Sequence, residues 1–154
     1  MGEYYKLQFI ENKDVINNSC DPHEIMRVVF KEQRTQYSDE LESIAASRMK
    51  NLVRHDDTQG YKQGLLVIHA VLDMMRGTEQ VQSHQKLGCE IFWSMSIPDL
   101  NSMIPVVFIL MLDQIEDAVY MAVSVYSISR VSWIRNANKT LQRIDTLRKE
   151  LTTH

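Results

Sequence analysis

Met103-Ile104-Pro105-Val106-Val107-Phe108-Ile109-Leu110-Met111-Leu112 is the stretch on which the reading of the fold turns. It runs ten residues without a polar side chain in a chain of 154. A membrane-spanning helix needs about 20 apolar residues, so the run is too short to be one. Pro105 suits the opening turn of a helix, where its missing N–H costs nothing. The run continues into Asp113, Glu116 and Asp117 and then Ala118–Val125, which together read as one helix over 105–126. A helix apolar on all sides is enclosed by other helices or forms an interface. Burying about eight such side chains supplies roughly 12–24 kcal/mol of gross transfer free energy, enough to organise a small domain. The expectation is a central helix whose first two turns are enclosed. Its acidic residues begin at Asp113, so any opening to a partner is expected beyond Leu112.

The rest of the chain agrees with a helical surround. Five Gly and three Pro leave few helix breakers, and nine Met add unbranched side chains. Tyr5, Leu7 and Phe9 alternate with Lys6 and Gln8, which reads as a short extended segment or irregular turn, and Asn12–Ser19 reads as a loop. Asp21-Pro22-His23-Glu24 is a helix start: Asp caps, Pro takes the first helical position and Glu reaches back. That helix is expected to run to about Gln36. Ser38 or Asp39 caps the next, which carries Leu41, Ile44, Ala45, Leu52 and Val53 to about His55. After a break at Asp56–Gly60, a third helix holds Tyr61, Leu65, Ile68, Leu72 and Met75 and stops at Gly77. Thr78 is the expected cap of a fourth, with Val81, Leu87, Ile91 and Met95, ending before Pro98. Ser96–Pro105 is a connector. The fold class is therefore all-α: one domain over 1–154, five to seven helices around 105–126, with a possible short N-terminal extended segment.

Charge is unevenly placed. The net charge is −3, which argues against a surface wholly committed to nucleic acid, yet residues 130–154 hold six basic and two acidic side chains. Two cysteines, Cys20 and Cys89, do not make a disulfide framework and suit a reducing compartment. Met1–Ile10 carries charge and lacks the apolar run of a secretory signal, and Lys6 stands where a myristoylation signal wants Ser or Thr. The expected location is the cytoplasm, or the inside of a host cell, with no membrane role.

Within the basic segment, expected to be a helix over 130–152, Ile134, Ala137, Leu141, Ile144 and Leu151 recur at spacings of three and four, with Arg148 where an apolar residue would complete the pattern. The stripe is heptad-like and is expected to face a partner, a second copy first of all. Arg135, Lys139 and Arg143 share a neighbouring face that can track a phosphate backbone.

Several short patterns resemble known sites. Arg48 and His55, separated by six residues, resemble the R-x(4–6)-H motif of HEPN ribonucleases. The resemblance implies an Arg that stabilises phosphate and a His that helps activate a 2′-hydroxyl, although Met49 replaces the polar residue usual after that Arg. Ser83-His84-Gln85-Lys86-Leu87-Gly88 is similar to the motif around the exposed His of histidine phosphotransfer domains, with Lys86 at +2 rather than +3. Asp39-x-x-Glu42 and Asp113-x-x-Glu116 are similar to the paired acidic motifs of all-helical nucleotide pyrophosphatases, more simply solvated helix faces. Cys20, His23, His84 and Cys89 have zinc-ligand chemistry, but His84 and Cys89 lie about 140° apart around a helix. No metal or cofactor is expected, and the Glu-x-x-His pairs of a di-iron bundle are missing from the sequence. His69 is expected to be a packed histidine. The leading expectation is a non-enzymatic interaction or regulatory protein acting as a homodimer. The alternatives are a HEPN-like ribonuclease using Arg48 and His55, and nucleic-acid binding through the basic helix.

Overall fold

A computed structural model describes residues 2–31, 34–54, 60–95, 105–127 and 132–152. Among them lie seven helices and no strand: α1 Gly2–Asn18, α2 Pro22–Lys31, α3 Ser38–Arg54, α4 Gly60–Gly77, α5 Gln82–Ser94, α6 Pro105–Tyr126 and α7 Ser132–Thr152. The all-α bundle expected from composition is what forms. His55, the Asp56–Gln59 part of the break, the connector up to Ile104 (including Met103 of the apolar run) and Arg130 lie outside the described residues.

One core cluster runs through the bundle. Helix α4 is flanked by α2, α3, α5 and α6, and Val67, Ile68, Val71, Leu72 and Met75 are buried along it. Helix α5 crosses α4 at Gly88, where an added Cβ would stand 2.3 Å from Met75 Sδ and 2.6 Å from its Cγ. Only a residue without a side chain leaves that space to the Met75 side chain. Helix α7 lies on α5 and α6, with Trp133, Ala137, Thr140 and Ile144 buried at spacings of three and four.

The helix ends explain the boundaries. The N–H of His23 donates to Asp21 Oδ1 at 3.0 Å, so Asp21 caps α2 as expected. The N–H of Asp21 is taken by Ser19 Oγ at 3.0 Å, not by Glu24 reaching back. Helix α3 is introduced by Thr35, earlier than expected: Tyr37 N–H donates to Thr35 Oγ1, and Thr35 N–H donates to Ser38 Oγ at 2.8 Å. Thr78 closes α4 instead of opening α5, because its hydroxyl donates to Met74 O at 2.6 Å. The buried amide of Gln85 completes that end, donating from Nε2 to the carbonyls of Met75 and Thr78, each at 2.9 Å. Carbonyls left over at a helix end are thus answered by a side chain of the next helix.

Two further expectations are corrected. Tyr4–Ile10 is not extended and Asn12–Asn18 is not a loop, since both belong to α1. This helix buries only Phe9 and Ile16, seven residues apart, while Tyr4, Leu7 and Ile10 face outward. Polar Asn12 interrupts the inward stripe, so the helical period is hidden. Phe9 stacks on Tyr37 at 5.1 Å, which ties α1 to the start of α3. His69 is exposed rather than packed.

Candidate interaction face

Helix α6 divides sharply into two sides. Phe108, Met111, Leu112, Ile115, Val119 and Ala122 follow one helical stripe into the core. On the opposite side Val106, Leu110, Tyr120, Met121 and Val125 are 66%, 53%, 65%, 54% and 52% exposed. Enclosure of the first two turns is therefore only half met: Phe108 is buried, but Val106 and Leu110 open outward well before Leu112. The reason is geometric. Packing against α4, α5 and α7 covers one side of α6, and no described helix covers the other.

Asp113 and Asp117 interrupt this outer side and are themselves exposed. Arg148 of α7 reaches across to the first of them, with Nη2 2.7 Å from Asp113 Oδ1 and Nη1 2.9 Å from Glu116 Oε2. The hydrogen bond that Arg148 donates to Glu116, joined by the one to Asp113, holds the guanidinium pKa above its ordinary value. Asp117 has no ion pair among the described residues. It borders a shallow cleft of about 160 Å³ shared with Met75, Arg76, Glu79 and Met121.

The other acidic pair is built the same way. Arg34 lies against both Asp39 and Glu42, with Nη1 3.0 Å from Glu42 Oε1. Burial pushes the Glu42 carboxyl above its ordinary value, and Arg34 opposes that shift. Each D-x-x-E pair thus grips one guanidinium. Among the described residues no three His, Cys, Asp or Glu side chains converge as metal ligands.

The stripe expected to face a partner lies in cis. Ala137 and Ile144 are fully buried in the chain's own core, and Ile134, Leu141 and Leu151 are half-buried against it. The basic face beside it stays outward: Arg135 and Lys139 are exposed and Arg143 is half-buried. Sequence reading missed its aromatic component. Trp93, on α5, lies under Arg143 at 4.3 Å from ring centroid to guanidinium carbon, with Lys139 Nζ at 5.8 Å. These distances are those of cation–π contacts.

The remaining candidates are engaged structurally. Arg48 donates from Nε and Nη2 to Ser19 O, at 3.0 and 2.8 Å, placing a cation on the segment that follows the C-terminus of α1. His55 lies outside the described residues, so its relation to Arg48 is not described. His84 stacks on Phe30 with centroids 6.1 Å apart, and its Nδ1 is buried without a hydrogen-bond partner among the described residues. Burial, with Arg34 nearby, lowers its pKa. Gly88, the small residue of the phosphotransfer comparison, is filled by Met75.

A groove of about 260 Å³ lies between α2 and α4, with Met26, Phe30, Ala70 and Met74 among its walls. At its rim His23 Nε2 stands 3.4 Å from Asp73 Oδ2. Among the described residues no Ser, Thr or Cys lines it to serve as a nucleophile beside that pair. Comparison with protein-family models, with curated proteins and with solved structures finds no match to this chain. No described helix is long and apolar enough to cross a membrane.

Proposed function

We propose that this protein acts by binding another protein chain and that the outer side of α6 is its contact surface. The observation that carries this reading is five large apolar side chains, each more than half exposed, along one side of a well-packed helix. Large exposed apolar side chains gathered on one side of a helix mark contact sites more often than scattered single residues do. Covering what remains exposed on these five gives a gross gain of about 4–8 kcal/mol. Association itself costs at least about 4 kcal/mol, so the contact is reversible rather than obligate. A second copy is one candidate partner, now through α6, because the α7 stripe is engaged within its own chain.

Photocrosslinking tests the reading. Benzoylphenylalanine replaces Leu110 or Met121, and separately the exposed polar Gln142 of α7, in cells that produce the protein. A discrete adduct from positions 110 and 121, with none from 142, is the expected result. An adduct of twice 18.0 kDa identifies a second copy. No adduct, or the same adducts from all three positions, counts against the face.

A second reading, nucleic-acid binding, is favoured by Trp93 beside Lys139 and Arg143. A phosphate strand along Arg135, Lys139 and Arg143 predicts affinity that falls steeply with salt and with Arg135→Glu. Absent or salt-independent binding of a single-stranded oligonucleotide removes it.

A further inference from the structure

The outer side of α6 is apolar at both ends and acidic in the middle. Val106 and Leu110 form one end, Tyr120, Met121 and Val125 the other, and Asp113 and Asp117 stand between them. Arg148 is shared between Asp113 and Glu116, so that trio keeps one negative charge. Asp117 adds a second and has no ion pair among the described residues. Arg76 and Glu79, which share its cleft, offset each other.

This charge placement selects among occupants. A two-fold contact of α6 with α6 of a second copy sets acidic centre against acidic centre, and like charges facing across an interface are costly. The exposed residues of α1 include Tyr4, Leu7, Ile10 and Val15, but their charged neighbours Glu3, Lys6, Glu11, Lys13 and Asp14 sum to −1. The outer side of α7 is basic, but Arg135, Asn138, Lys139 and Gln142 offer it no apolar seam. None of these described faces is apolar–basic–apolar.

Resting on the reading of α6 as the docking face, we infer that its occupant is an amphipathic helix of a different protein, apolar at both ends of its seam with a Lys or Arg at the centre. Val106 to Val125 is 20 of the 22 residues of α6, so the partner segment is about five turns long. Its apolar ends cover the two apolar ends of α6, and its central cation meets Asp117.

Two synthetic helical peptides of about five turns test this, each with a Leu seam and either Lys or Glu at its centre. Binding is read by fluorescence anisotropy. The Lys peptide is expected to bind wild type about tenfold tighter than the Glu peptide. Asp117→Lys is expected to reverse the preference, and Leu110→Asp with Met121→Asp to abolish both. Equal affinities that are lost in the double variant overturn the charge-selected partner while leaving the docking face intact. No binding, or binding indifferent to the double variant, overturns both. Wild-type self-association at micromolar concentration that the double variant abolishes overturns the different-protein partner in favour of a second copy.

Discussion

Gly88 on α5 sits against Met75 on α4 so closely that a Cβ at position 88 would lie 2.3 Å from the Met75 sulfur. Met75 is itself buried, so its side chain has little room to retreat. Gly88→Ala is therefore expected to destabilise the fold by about 1–3 kcal/mol, despite alanine's better helix propensity. Thermal denaturation reads the loss. An unchanged or raised midpoint would show that α4 and α5 do not cross this tightly.

Arg148 anchors α7 to α6 through Asp113 and Glu116, but all three side chains keep solvent contact. Their pairing is accordingly worth little, about 1 kcal/mol or less. Arg148→Gln is expected to lower stability by that amount in dilute buffer, with the difference shrinking in about 1 M salt. A large, salt-insensitive loss in urea denaturation would contradict a solvent-screened pair.

Burial first, and then Arg34, lowers the His84 pKa below its ordinary value of 6.5. The unfolded chain therefore binds a proton more readily than the folded one over that interval. The contribution of His84 to stability is complete above the unfolded value. It is lost as pH falls through 6.5 toward the folded value. His84→Gln is expected to flatten the fall in unfolding free energy between about pH 7 and about pH 5. Identical slopes for variant and wild type would count against it.

The two thiols are expected to react very differently. Cys20 is exposed, whereas Cys89 is buried and its thiol is pushed up to about 12, chiefly by burial. A thiol reagent near neutral pH should label one cysteine at once and the other only on unfolding. Two fast labels would contradict the packing of α5.

Much of this fold is legible in the sequence. The Asp21-Pro22 start of α2 and the whole of α6 follow from capping chemistry and apolar runs. Helix α1 is not, because its inward stripe is thin and its outer side carries Tyr4, Leu7 and Ile10. The candidate face is half legible. A helix apolar on every side announces burial, but only the placement of α4, α5 and α7 decides which side is left open. The apolar stripe of α7 is visible as a stripe, yet period alone does not distinguish packing in cis from packing on a partner. Partnerships across long separations, Arg148 with Asp113 and Arg143 with Trp93, leave no local trace at all.

The claim that the outer side of α6 is the contact surface is tested most directly by crosslinking yield from position 125, in wild type and in Leu110→Asp with Met121→Asp. Leu110 and Met121 are more than half exposed, so the double variant should fold, with only a minor change in midpoint. The account predicts that its partner adduct disappears. An adduct of undiminished yield from the folded double variant would contradict it.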